Sequence, residues 1–402
     1  MERSIIPPVQ YSYAIIGGGI AGASIAYHLS NRTDEDIALF ECQSLSSETT
    51  YKSVAQFGFY GDTTQYEMKR YGMRLYNSFF ENTRANPRYQ FTGMLMAATE
   101  RESADRLKRY IESEGERSIG KLGAGFNRDL MEYIPGDEIR ETLVVGPLNT
   151  DVIEGALYRP KVGYMSRPQE LAYEFIERAK ENGVTIREGT GVTDIHTSNG
   201  RVTGLETDDG KDVTADHVIC AAGPWNVDIA ESIGIDIPVK HTLAPILKLR
   251  PQSAIEFDVP IINHFDSRYT FHRRSPEELL IGYIPPYDEA TRYEPETVDE
   301  TVPSDIRNEG VELLADLVPP WLDADVVEQW VGVRSQTPDG NPVVGWTERE
   351  EFSIAAFHTS GIQLAPKVGD IIASQVVADD PTPFYDDLSI SRFDDYEDHR
   401  SK

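Results

Sequence analysis

Residues 15–29, IIGGGIAGASIAYHL, restrict what this chain can fold into more than any other stretch. An apolar run, SYAII at 12–16, ends in consecutive glycines, and apolar and small residues at helical spacing follow over 20–30. Gly17, Gly19 and Gly22 fit the GxGxxG pattern. In that pattern the first glycine makes a tight turn, the second lets a pyrophosphate approach the backbone, and the third brings helix close to strand. Ile20 and Ala21 then open a helix whose unpaired N–H groups and dipole favour a diphosphate. A second strand, IALFE at 37–41, places Glu41 where a carboxylate accepts hydrogen bonds from both ribose hydroxyls. The unit reads as an adenine-dinucleotide fold. An acid at position 41 disfavours a 2'-phosphate, and therefore NADP, while NAD and FAD both stay open at this point.

A chain of 402 residues has room for two domains, and 40% hydrophobic with 26% charged residues is a globular composition. Its 67 acidic residues against 38 basic ones leave a net charge of -29, which argues against a nucleic-acid partner. The sequence shows no apolar run of the roughly eighteen residues that a membrane span needs, and MERSIIPPVQ lacks the apolar stretch of a signal peptide, so a cytoplasmic protein is expected. Cys42 and Cys220 are too few for a disulfide framework, and the eight histidines form no HExxH pattern, so no metal site is expected.

Further along, SRPQELAYEFIERAKENG predicts a helix with Ser166 as its cap, Pro168 in its first turn and Gly183 as its stop. Apolar and polar residues then alternate between the turn signals SNG and DDG, which predicts short antiparallel strands closed by HVIC at 217–220. LAPILKLR, RYTFHRR and ELLIGYI read as strands of a separate layer, followed by a helix at IRNEGVELLADLV. The expected fold class is α/β: a Rossmann-type dinucleotide-binding domain at 10–88, 155–242 and 331–385, with a discontinuous α+β domain, mostly antiparallel sheet, at 89–154 and 243–330. Residues 386–402 read as an acidic tail.

A second strand, glycine, helix pattern near the C-terminal end separates the two cofactors. The glycine turn, TTYKSVAQFGFYG, VICAAGPW, GVRSQTPDGNPVVG and SGIQLAPKVGD occur in one order across nearly the whole chain. In that order they resemble the FAD-dependent amino acid oxidoreductases, the superfamily of D-amino acid oxidase, glycine oxidase and sarcosine oxidase. GVRS, with Ser335 where proline is commoner, is similar to D-arginine dehydrogenase-like members. Tyr51 and Lys52 depart from the TTGRS type of segment.

The residues of SGIQLAPKVGD have a physical reading of their own. Gly361 lets backbone pass close to a flat ring, and the N–H groups of Ile362, Gln363 and Leu364 open a helix whose dipole stabilises negative charge on a reduced flavin. The resemblance adds Lys52, Ser53, Val192, Ala222, Gly223 and Trp225 beside the cofactor. In the sarcosine oxidase branch a cysteine carries the flavin, and alignment on TPDG puts Gly332 there, so FAD is expected without a covalent bond.

The resemblance also implies substrate residues. Arg334 matches the arginine that grips the substrate carboxylate, which a planar guanidinium does bidentately. Tyr269 and Tyr60 fall where family members carry active-site tyrosines, and His241 and Gln56 where the D-arginine dehydrogenase-like branch makes polar contacts. The implied activity is oxidation of the C–N bond of an amino acid or secondary amine by hydride transfer to flavin N5, giving an imine and then an oxo acid. An FAD-dependent glycerol-3-phosphate or 2-hydroxy acid dehydrogenase, or a flavin subunit needing a partner chain, are the competing readings. The electron acceptor, oxygen or a quinone, is not encoded in any of these motifs.

A surface this acidic suits a salt-rich medium, because counterions relieve its self-repulsion. Added KCl is expected to raise the midpoint of urea unfolding; a midpoint that ignores salt from low to high concentration sinks this expectation.

Overall fold

The computed structural model describes residues 9–59, 62–82, 89–121, 131–255, 259–285, 290–378 and 384–394. The glycine turn joins β1 (Val9–Ile16) to α1 (Ile20–Ser30), and β2 (Ile37–Glu41) follows. Next come α2 (Thr49–Lys52), β3 (Gln56–Gly58), α3 (Thr63–Asn82), β4 (Tyr89–Phe91), β5 (Met94–Ala98) and α4 (Arg101–Lys121). β6 (Glu132–Pro135), α5 (Ile139–Thr142), β7 (Gly155–Arg159) and β8 (Val162–Met165) lead into α6 (Pro168–Glu181) and β9 (Thr185–Glu188). The meander is β10 (Val192–Ser198), β11 (Arg201–Thr207) and β12 (Asp212–Cys220), followed by α7 (Asn226–Ser232). β13 (Lys240–Arg250), β14 (Ile261–His264), β15 (Tyr269–Ser275), β16 (Glu278–Tyr283), α8 (Ser304–Leu317) and β17 (Asp325–Gln336) form the later layer. The chain closes with β18 (Val343–Trp346), β19 (Phe352–Ala356), α9 (Gly361–Ala378) and α10 (Tyr385–Leu388).

The strands sort into three sheets among the described residues. In the first, β9, β2, β1, β12 and β19 run parallel, with β10 and β11 antiparallel at one side of β12 and β18 antiparallel on β19. Ala14, Ile15, Leu39 and Val218 are fully buried, as expected of parallel strands covered on both faces. α1 is buried almost all round because α6 and α9 pack on it above the sheet. Its small residues permit this: Ser24 Oγ donates to the Ala365 carbonyl at 2.8 Å, and a Cβ on Gly369 would stand 2.7 Å from the Ser24 backbone.

The second sheet has the order β17-β13-β16-β15-β14-β5-β7-β6, antiparallel except between β14 and β5. α8 covers one of its faces, where Tyr269, Phe271, Leu279, Leu247 and Trp321 are buried together. β3, β8 and β4 make a small third sheet.

Several local expectations change. Ser166 does not cap α6: Arg167 holds the N-cap position and Pro168 starts the helix, its missing N–H costing nothing there. Gly183 does end it, at φ +95°. β7, the start of β13 and residues 331–336 of β17 pair in the second sheet although they lie in stretches expected for the dinucleotide-binding domain. We propose that the domains divide by sheet membership rather than at 155, 242 and 331. Part of the expected acidic tail is packed structure. Leu388 is fully buried, and Arg392 donates to both oxygens of Asp339 at 2.8 and 3.2 Å; residues 395–402 of that tail lie outside the described residues. Among the described residues no helix is long and apolar enough to cross a membrane.

The close approach of α9 to α1 carries a consequence for stability. Gly369→Val is expected to lower unfolding free energy by about 2–3 kcal/mol through overpacking, read as an earlier urea midpoint, whereas a wild-type midpoint means the two helices are not this close.

Candidate active site

The turn after β1 is shaped by backbone contact. Gly17 sits at φ +105° with its N–H on the Phe40 carbonyl at 2.8 Å, and a Cβ there would meet the Ala221 carbonyl at 2.5 Å. A Cβ on Gly22 would run into the Gly17 carbonyl, so the helix can lie this close to the strand because both positions are glycine. Gly19 occupies the N-cap of α1 and no side chain caps it. Ile20 N–H donates to Thr50 Oγ1 at 3.1 Å, while Ala21 is buried just behind. Glu41 ends β2 with one carboxylate oxygen 2.7 Å from Gly18 N and the other 2.9 Å from Gln43 N. Turn, helix end and acid therefore lie side by side, with Glu41 bonded to the turn itself.

The walls of this groove come from α2 and from the 3-10 turn Gly223–Trp225 at the end of β12. Gly223 has φ +59°, Ala222 N–H is held by Asn226 Oδ1 at 2.8 Å, and a Cβ on Gly223 would lie 4.0 Å from Thr49 Oγ1. Ser53 Oγ accepts from Ala55 N at 2.9 Å, closing the turn after α2. Val192 is half-buried at the start of β10, opposite Thr207. The ends of Lys52 and Trp225 are tied elsewhere: Lys52 Nζ lies 2.6 Å from Glu48 and 2.7 Å from Glu300, and Trp225 Nε1 donates to Glu296. Thr49, Thr50 and Asn226 are groove residues that sequence reasoning missed. The hydroxyl run TT at 49–50 was the available signal.

At the far wall, α9 starts at Gly361 after Ser360 at φ +59°. Gln363 and Leu364 do not offer their N–H groups outward as expected, because both donate to the Ser360 carbonyl, at 2.9 and 3.0 Å. The turn is braced by Tyr76, whose hydroxyl donates to the Ile362 carbonyl, and by Gly58 N–H on Gln363 Oε1 at 3.1 Å. His358, three residues before Gly361, accepts from Thr337 N at 2.9 Å. Burial first, and then the guanidinium of Arg334, push its pKa down to about 4, so it is neutral at physiological pH.

Strand alternation decides which residues of the second sheet face this groove. Even positions of β17 and β13 do so. Trp330 Nε1 donates to the Lys52 carbonyl at 3.0 Å, a Cβ on Gly332 would lie 3.8 Å from Lys52 Cβ, and Arg334 follows on the same side, paired with Thr242. The space at Gly332, where a covalent link was excluded on sequence grounds, holds no thiol: Cys42 is exposed beside Glu41 and Cys220 is buried against Asn226.

Tyr269 is a correction. It lies on the opposite face, with its hydroxyl on the Ile306 carbonyl at 2.8 Å and Glu309 at 3.3 Å, and it anchors α8. Its neighbours Thr270, His272 and Arg274 face the groove side instead, where Arg274 Nη2 reaches the Ser53 carbonyl at 3.5 Å. His272 packs edge-on to Tyr164 with ring centroids 4.3 Å apart, and burial lowers its pKa to about 3. His241 is the second correction. It falls at the odd position beside Thr242, its backbone pairs with Thr291, and its ring is buried near Pro224, so it is not brought to Arg334. Gln56 Nε2 contacts Met94 Sδ at 3.2 Å, as does Asn263 Nδ2. Tyr60 lies outside the described residues.

Asp194, His196 and Glu206 bring possible ligand atoms within 4.8 Å of one another on β10 and β11, a grouping that the histidine spacing did not reveal.

The residues present fit FAD: a glycine cradle that any Cβ would fill, a helix end without a side-chain cap, an acid at the end of β2, and a second glycine-initiated helix opposite. The comparisons agree. The chain is 27% identical to 4-methylaminobutanoate oxidase (formaldehyde-forming) of Paenarthrobacter nicotinovorans over 98% of its own length, but it spans 47% of that protein, about half. It is 28% identical to the glycine oxidase of Geobacillus kaustophilus, covering 93% of this chain and 96% of that one. The crystal structure of L-proline dehydrogenase from P. horikoshii superposes with a TM-score of 0.78 at 22% identity, over 97% of this chain and 100% of that one, and so shares the fold. The family model described as FAD dependent oxidoreductase matches residues 12–375, and the chain belongs to that family.

Proposed function

We propose that this protein oxidises the C–N bond of an amino acid or secondary amine that carries a carboxylate, and that Arg334 holds that carboxylate. The position of Arg334 is the observation that carries this reading: it is on the groove-facing side of β17, on the same side as Gly332 and paired with Thr242, with its charge acting on His358, which lies three residues before the start of α9. Glycine oxidase and 4-methylaminobutanoate oxidase are named for substrates that combine an amine with a carboxylate, which supports the same class here.

FAD supplies the electron-accepting ring. The chain's own residues supply placement. A guanidinium fixes both oxygens of a carboxylate in one plane and so limits how the α-carbon can lie, a contribution to catalysis through orientation. Neutral His358 adds no second positive charge against a cationic amine. Gly332 leaves room beside the arginine where a side chain would intrude on the space before Lys52. Lys69, fully buried on α3, adds to the positive field acting on His358; burial, opposed by Asp62, lowers its pKa to about 8.

Two measurements test this. Arg334→Ala is expected to lower kcat/KM for the best amino acid substrate by roughly 30- to 150-fold, the effect of losing about 2–3 kcal/mol of charge-assisted hydrogen bonding; unchanged turnover and affinity overturn the role. Binding of a simple carboxylate such as acetate, followed by the visible spectrum, should weaken as pH rises through about 8, because Lys69 loses its charge there. Lys69→Met should abolish that step, and a step that survives in this variant assigns it to another group.

A further inference from the structure

Residues 290–303, between β16 and α8, contain a 3-10 turn at Pro295–Thr297 and no longer element, yet they are tied first to the start of β13 and then to the dinucleotide-binding side at three successive points. Thr291 exchanges both backbone hydrogen bonds with His241, at 2.5 and 2.9 Å. Arg292 reaches Asp236 Oδ1 at 2.5 Å and also pairs with Glu231. Glu296 accepts from Trp225 Nε1, and Glu300 lies 2.7 Å from Lys52 Nζ.

The last two contacts fall on facing walls of one groove. Trp225 ends the 3-10 turn that begins at Gly223, and Lys52 ends α2. At their inner ends these walls are close, since a Cβ on Gly223 would stand 4.0 Å from Thr49 Oγ1, and Thr50 takes the first N–H of α1. One segment of chain therefore bridges the outer ends of two walls whose inner ends meet at the glycine turn. Core packing holds Val302 and Val298 to the second sheet but does not involve the charged residues that reach the groove walls. Pro295 and Val302 are buried, but Arg292, Glu294, Glu296 and Glu300 are exposed. Its charge opposes the course as well: Asp228 on α7 has its pKa raised by burial and then by Glu296 and Glu294.

We propose that residues 290–303 are a clasp across the dinucleotide groove, and that the Glu296–Trp225 and Glu300–Lys52 contacts are latches that slow the departure of bound FAD. This rests on the FAD reading of the groove. The latches act on cofactor retention, since their contacts run to Trp225 and Lys52 on the groove walls.

The test uses the yellow holoenzyme and the Glu296→Gln, Glu300→Gln double variant. After dilution into cofactor-free buffer, release is followed by the rise of free FAD fluorescence. The double variant is expected to release FAD about tenfold faster than wild type, the equivalent of about 1.4 kcal/mol, with each single variant between and an unchanged far-UV circular dichroism spectrum. If the double variant does not fold, Glu300→Gln alone carries the comparison. A yellow variant that releases FAD at the wild-type rate overturns the clasp, as does wild type whose flavin stays with the chain after denaturation. A wild-type protein that is colourless and takes up no FAD overturns the cofactor reading beneath it, which keeps the two failures distinct.

Discussion

The approach of α1 to its surroundings is the constraint on which the rest depends. At its first turn Gly22 lies against the Gly17 carbonyl, and Gly17 lies against Ala221. Along its length Gly369 of α9 lies against Ser24, whose hydroxyl bonds the Ala365 carbonyl. The contacts at Gly17 and Gly22 are with backbone, and the one at Gly369 is with the backbone and short side chain of Ser24, so little flexible side chain is there to take up error. Interiors packed this closely transmit position rather than absorbing it. The start of α1, the end of β12 and the first turn of α9, drawn from positions 17–22, 221–223 and 361–363, are thereby held in one arrangement.

The short helix α2 extends that arrangement to the second sheet. Its inner side meets the glycine turn through Thr50, while its outer end meets β17 through the Lys52 carbonyl and Trp330, and Tyr51 reaches Glu328 at 3.2 Å. Four residues thus link the cofactor groove to the strand that carries Arg334. The sheet itself separates two tasks by alternation. Its odd positions on β13 and β15 bury Leu247, Leu249, Tyr269 and Phe271 towards α8, with Leu243 half-buried against them. Each large apolar side chain buried this way is worth about 1.5–3 kcal/mol, which lets the other face carry Thr242, Thr270 and Arg334 without weakening the fold.

Charge near the site is governed by burial. His272 and His358 are pushed to about 3 and about 4, so neutral rings line a region where arginine and lysine supply the positive field. At the groove mouth the balance reverses, and Lys52 is held between Glu48 and Glu300.

What could be read from the chain alone was whatever is local. The glycine turn, Glu41, the helix of α6, the antiparallel meander and the strand pieces of the later layer follow from turn chemistry and periodicity within a dozen residues, and the structure has them in place. Family resemblance pointed further, to Arg334 and to the start of α9, and the substrate role of Arg334 is a proposal. The tertiary structure decided the rest. Tyr269 and Thr270 are adjacent in sequence, but a strand turns successive side chains to opposite faces, and only the helix packed on one face determines which of them meets the groove. One of the two partners of Lys52 lies 248 residues away, and the Ser360 carbonyl takes two amides that looked free in the linear pattern. Periodicity and turn residues are properties of a few neighbours, whereas facing and long-range pairing exist only once distant segments are packed together.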